Sequence, residues 1–247
     1  MKKLCYCFVV VGTVLLLFTH VPKVSAMNTG FSTEQKSEEK KETFISNIEL
    51  SFVEEEPDKT SIVCFDVNSD GMIAIGQASF EQKRVCVYSS EGDFQYGYTF
   101  HSSGDIGVEW DGNNLNIYFV RSSVIISVDP DGEILDVLDV PDSSENNSYK
   151  NHFIDSTERT IGDTTYTIRN DMGIFNWCAS SYSQLVVTDA AGKETLLYDV
   201  NSAQLAKYLT VCFLVVIVFL IILVLAIASV KHERSTEMID KPEIRNF

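Results

Sequence analysis

Hydrophobic positions along this chain fall into three regimes. Leu4 to Phe18 and Tyr208 to Val230 are continuous apolar runs, whereas the residues between them form short segments in which apolar and polar positions alternate or cluster briefly. Ile48, Leu50 and Phe52 alternate with Asn47, Glu49 and Ser51, the period of a half-buried strand. Before them, residues 27–43 are polar and acidic with no periodic apolar face, which predicts a disordered leader. Ordered structure is therefore expected over residues 44–203. Within it, β-rich runs recur near Ile62–Phe65, Met72–Ile75, Arg84–Tyr88 and Phe94–Phe100, then near Ile106–Trp110, Leu115–Val120, Val124–Val128 and Ile134–Val140. A third set follows near Thr164–Ile168, Ile174–Cys178, Gln184–Thr188 and Thr195–Val200.

Glycines punctuate these runs with a period. Asp70-Gly71, Asp111-Gly112 and Met172-Gly173 make one series, and Glu91-Gly92, Asp131-Gly132 and Ala191-Gly192 a second. The first series steps by 41 and 61 residues and the second by 40 and 60, which reads as three repeats with one insertion of about 20 residues at Pro141 to Thr160. Each repeat reads as four short strands joined by hairpins, because Gly supplies the positive φ that tight turns need. Four strands every 40 residues or so, ending in Tyr-Ser-Ser-Glu-Gly-Asp-Phe, Val-Asp-Pro-Asp-Gly-Glu-Ile and Thr-Asp-Ala-Ala-Gly-Lys-Glu, resembles the blades of β-propeller proteins of the NHL or six-bladed kind. The resemblance covers residues 62–200 and implies an all-β domain of about three four-stranded meanders. Three blades leave open sheet edges, which pair readily with other chains. The Ile48–Phe52 strand could cover the last blade, two chains could join, or the sheets could form an open stack or sandwich.

The two apolar runs locate the chain. Lys2 and Lys3, the run Leu4–Phe18, and the small-residue step Val24-Ser25-Ala26 have the layout of a secretory signal peptide over residues 1–26. Residues 208–230 contain no charge and would extend about 34 Å as a helix, enough to cross a bilayer core. The cationic cluster Lys231-His232-Glu233-Arg234 lies beyond this run, which predicts a single-pass plasma-membrane protein. Its transmembrane helix is expected over 207–230, its β domain outside and its short tail, 231–247, in the cytoplasm.

Charge narrows the partners. Residues 27–207 carry 12 Lys and Arg against 31 Asp and Glu, a net of −19. Such a surface repels nucleic acid and lacks the basic stripe that phosphate contacts require. Of the cysteines, Cys64, Cys86 and Cys178 fall in the external region. Cys64 on the first strand of a meander and Cys86 on the third should lie roughly 10 Å apart, too far for a disulfide. No disulfide is expected, and all three thiols should pack as small buried apolar groups. Asp66, Asn68 and Asp70 match the opening of a calcium loop, but position twelve is Gln77 rather than a bidentate Glu, and Asp-x-Asn-x-Asp-Gly equally suits a hairpin turn. No catalytic motif or cofactor signature occurs, and Trp110 and Trp177 read as packing residues. These observations point to a non-catalytic, membrane-anchored binding or assembly module that meets a protein partner or itself through open sheet edges. The alternatives are a ligand-sensing subunit of a membrane signalling or transport complex and, third, an extracellular hydrolase.

Overall fold

The segments Ile-Val-Cys-Phe-Asp-Val and Ile-Ala-Ile-Gly-Gln-Ala are apolar at consecutive rather than alternate positions, as in strands covered on both faces. The computed structural model, which describes residues 27–78 and 82–239, shows the sheet containing them packed between two others. The chain enters through β1 (Glu34–Gln35), α1 (Glu38–Ile48) and β2 (Ser51–Val53). Three antiparallel meanders follow in chain order. The first comprises β3 (Ile62–Val67), β4 (Ile73–Ala78), β5 (Gln82–Tyr88) and β6 (Phe94–His101). The second comprises β7 (Ile106–Asp111), β8 (Asn114–Phe119), β9 (Val124–Val128) and β10 (Ile134–Asp139). After α2 (Ser144–Tyr149) and a π-helical turn (Lys150–Ile154), the third comprises β11 (Glu158–Ile161), β12 (Thr164–Arg169), β13 (Gln184–Thr188) and β14 (Glu194–Asp199). A long helix, α3 (Asn201–Ile239), closes the described chain.

Alternating side chains divide the core into three layers. Cys64, Ala74, Val85, Tyr98 and Phe100 of the first sheet meet Val108, Leu115, Ile117, Ile126 and Val128 of the second. Its other face, with Ile62, Phe65, Ile73, Ile75, Cys86 and Tyr88, meets Tyr166, Ile168, Leu185 and Tyr198 of the third. Tyr118, Ile125 and Leu138, on the far face of the second sheet, are covered by Phe31 and Ile154. The largest of these side chains are essentially unexposed, and each contributes about 1.5–3 kcal/mol by burial.

The outer turns repeat with the spacing seen in the sequence. Ser89 Oγ accepts from the N–H groups of Glu91 and Asp93, Asp129 Oδ1 from Asp131 and Glu133, and Asp189 Oδ1 from Ala191 and Lys193. Each turn places a glycine at positive φ: Gly92 at 90°, Gly132 at 90° and Gly192 at 77°. These turns also record how the sheets stack. A Cβ on Gly132 would lie 3.2 Å from Phe52 of β2, and one on Gly92 would lie 3.3 Å from the carbonyl oxygen of Leu197 in β14, so each turn rests on the neighbouring sheet. A Cβ on Gly192 would meet nothing within 4 Å, because no further sheet lies beyond the third among the described residues.

Several expectations need correction. The segment 27–43 is not a disordered leader: Phe31 is buried, β1 pairs with β10, and α1 begins at Glu38. Ile48 ends a helix rather than starting a strand, because Phe44 and Ile48, four residues apart, share a helical face that packs on the first core layer. Glu49, at φ 47°, stops the helix, and the strand that follows, β2, joins β6 of the first sheet instead of the last. In the third repeat the counterpart of Gly112 is Gly162, which turns β11 into β12 at φ 59°. Met172-Gly173 instead opens a 3-10 turn, Gly173–Cys178, where a strand was expected. The extra residues therefore divide between 140–157, which form α2 and the π turn, and the excursion between β12 and β13. Cys64 and Cys86 are free and buried, on strands separated by β4 and in different core layers, but Cys178 is exposed rather than buried. The signal peptide expected over 1–26 and the end of the tail, 240–247, lie outside the described residues.

Candidate functional site

The first strands of the three sheets converge on one carboxylate. Asp66, on β3, accepts the backbone N–H of Trp110 (β7) through Oδ2 at 2.8 Å and the Arg159 (β11) Nε–H through Oδ1 at 2.7 Å. Period two places Arg159 on the same face of β11 as Ile161, towards the core. It is 7% exposed, with its guanidinium 4.3 Å from the Phe153 ring centre and 5.4 Å from that of Phe65. Three of its other N–H groups meet the carbonyls of Phe153, Glu158 and Phe65. Burial raises the Asp66 carboxyl above its ordinary range, opposed by the Trp110 N–H and by the Arg159 hydrogen bond and charge. Both carboxylate oxygens and four of the five guanidinium N–H groups are engaged within the fold, so the pair works as a three-way structural clamp.

The candidate calcium ligands fall beside this clamp but do not converge. Both Asp66 oxygens receive N–H donors, and Asn68 Oδ1 accepts from its own turn, from Asp70 N–H at 3.0 Å and Met72 N–H at 2.9 Å. A cleft of about 450 Å³ opens here, bordered by Asn68, Trp110, His152 and Arg159. No grouping of three or more His, Cys, Asp or Glu suited to a metal occurs among the described residues. Trp110 is half-buried against the first core layer, whereas Trp177 is 87% exposed, so the packing role expected of both holds only for Trp110.

A second polar centre fastens the N-terminal segment. Glu109, buried on β7, accepts from Thr29 Oγ1 at 2.7 Å, Gly30 N–H at 3.1 Å and the Tyr149 hydroxyl at 2.6 Å. Asn146 in α2 accepts from the Ser32 N–H and donates to the carbonyls of Ser32 and Pro141. Neither residue was legible as a site, because their partners lie up to 114 residues away in the chain.

This fastening carries β1 and β2 to the outer edges of two sheets. The second sheet is ordered β1-β10-β9-β8-β7 and the first β2-β6-β5-β4-β3, so the outer strands β10 and β6 are both covered. The third sheet has four strands and ends at β14, where Leu196 is 48% exposed. β14 is thus the only one of the three equivalent outer strands without a fifth strand among the described residues. A groove of about 850 Å³ lies between α1 and the loops after β6 and β8, with Phe44, Ile48 and Phe119 as apolar walls and His101 and Arg121 among its polar lining.

β14 and α3 are separated by Val200 alone, so the sheet passes directly into the apolar helix. The stretch Asn201–Ser229 is long and apolar enough to cross a membrane, and its most apolar window is not buried in the fold. Leu209, Phe213, Phe219 and Leu225 are each more than half exposed, so apolar surface surrounds the helix as in a membrane span. Compared with family models, curated proteins and solved structures, the chain matches none.

Proposed function

We propose that this chain is a single-pass membrane protein whose β domain, an open stack of three propeller-type blades, works outside the cell as a non-catalytic binding and assembly module. It takes an extended segment of a partner protein along β14. The observation that carries this reading is the unequal treatment of the three outer strands: β6 and β10 are each paired with a short N-terminal strand, whereas β14 has no further strand on its edge among the described residues. An added strand would gain backbone hydrogen bonds there and a contact for Leu196. The cationic residues after the apolar run support an external β domain and a cytoplasmic tail, and the acidic net charge of residues 27–207 argues against nucleic acid as partner.

The test is photo-crosslinking in the membranes of the cells that make the protein. A benzophenone amino acid replacing Leu196 should give a discrete adduct, while one replacing Thr99 of the covered strand β6, which pairs with Ser51 of β2, should not. Equal adducts at both positions, or none at Leu196, would refute strand addition at β14. The direct passage from β14 into α3 also favours a second reading, in which ligand binding shifts the helix and the chain serves as a sensing subunit. That reading requires ligand-dependent changes in α3, measurable by spin-label distances across the membrane.

A further inference from the structure

Between β12 and β13 the chain leaves the third sheet and returns, and the residues of this excursion from Met172 onward carry no charge, in a region, residues 27–207, whose net charge is −19. We propose that its 3-10 turn, Gly173–Cys178, is a membrane-interface anchor that seats Ile174 and Trp177 at the boundary between headgroups and acyl chains, beside the point where α3 enters the bilayer. The inference rests on α3 spanning a membrane.

Exposure is the first argument. Ile174 is 79% and Trp177 87% exposed, whereas the other exposed large apolar residues of the β domain, Ile45, Phe52, Leu135 and Leu196, range from 37% to 48%. Trp is the side chain most suited to an interface, with a large apolar body and one N–H donor that can stay with water or lipid carbonyls.

Position is the second. The Phe175 ring stacks on Tyr208 with centroids 6.1 Å apart and planes inclined by 21°. Tyr208 is the first residue of the uncharged run, so the turn sits level with the start of the membrane-spanning sequence. The turn is also held firmly. Asn176 accepts the Met172 N–H at 2.8 Å and donates to the Asn170 carbonyl, Met172 is buried, and Asn201 at the start of α3 donates to the Asp171 carbonyl. Ile174 and Trp177 are therefore presented on a frame fixed to the helix.

Charge is the third. Lys59 and Lys207 line the small cleft beside this end of α3, where cations favour lipid phosphate, while the net −19 of residues 27–207 would repel an anionic surface. The attachment is therefore apolar, and zwitterionic lipid suffices. With α3 it gives the domain two points of contact, which fixes its tilt and the height of β14 above the membrane.

The chain contains two tryptophans, which makes a direct test possible. The full-length protein is reconstituted in phosphatidylcholine vesicles with lipids brominated either close to the headgroup or deep in the acyl chain, and insertion is checked by flotation after an alkaline wash. The fluorescence lost in Trp177→Gln, obtained by difference from the unsubstituted protein, should be quenched strongly by the shallow label, less by the deep one, and little by aqueous acrylamide. A Trp110→Phe variant should give the same answer from a single fluorophore. If the protein floats but Trp177 is open to acrylamide and insensitive to both lipids, the anchor is refuted while the membrane helix stands. Emission that changes with the protein-to-lipid ratio but not with bromination would assign the turn to a contact between copies and overturn the proposal. A protein that fails to float removes the membrane helix and the anchor together.

Discussion

Asp66→Asn tests the convergence of the three sheets on one carboxylate. The substitution keeps the size of the side chain and one oxygen, which can still accept the Trp110 N–H. It turns an amide NH₂ towards the Arg159 Nε–H, where donor would face donor at 2.7 Å. Arg159 is 7% exposed and confined between the Phe65 and Phe153 rings, so its charge would stay largely desolvated after losing its partner. Removing one partner of a buried pair costs roughly 3–5 kcal/mol, most of it from the charge left behind. For a domain of this size each kcal/mol shifts the melting temperature by about 2–4 °C, so a fall of roughly 6–20 °C is expected. Circular dichroism and tryptophan emission of the full-length protein in detergent would measure it. The double variant Asp66→Leu, Arg159→Met, which removes both charges and keeps apolar volume, should recover most of the loss. A loss below about 1 kcal/mol in Asp66→Asn, or additive losses in the double variant, would show that the pair is not a desolvated clamp.

Three further outcomes follow from the packing. Gly97→Ala should destabilise the first sheet by about 1–3 kcal/mol, because its Cβ would lie 2.9 Å from the Val85 carbonyl oxygen on the paired strand β5, and a backbone atom there cannot swing away; an unchanged melting curve would contradict that contact. Burial pushes the Cys64 thiol from an ordinary 9.0 up to about 12 and the Cys86 thiol up to about 11. The folded protein therefore keeps protons that the unfolded chain gives up, so stability is full below pH 9 and declines as pH rises towards 11. The slope should be shallower in a Cys64→Ala, Cys86→Ala variant, and parallel curves for the two proteins would contradict it. In the native protein both thiols should resist maleimide until denaturant is added, and peptide mapping should find no link between them.

What the sequence determined by itself was whatever depends on short chain distances. The turns at Ser89, Asp129 and Asp189 bond side chain to backbone within four residues, so their chemistry and their spacing were both visible, and the four-strand meanders follow from them. The helix around residues 208–230 was equally legible, because one long charge-free composition suffices to specify it. Tertiary structure decided the rest. The segment 27–43 has no periodicity of its own; it is ordered because Glu109 and Asn146, far along the chain, accept its N–H and O–H groups, and because Phe31 fills a gap over the second sheet. Ile174–Cys178 carries a strand-like composition, yet in place it has no sheet to join and becomes an exposed 3-10 turn beside α3. Arg159 fell within what read as an insertion, and its carboxylate partner Asp66, 93 residues away, could be found only once three strands had been brought together. Which edges are covered and which is left open was likewise beyond the sequence, since strand pairing is a matter of where hydrogen-bonding backbones meet in space, and every backbone carries the same groups.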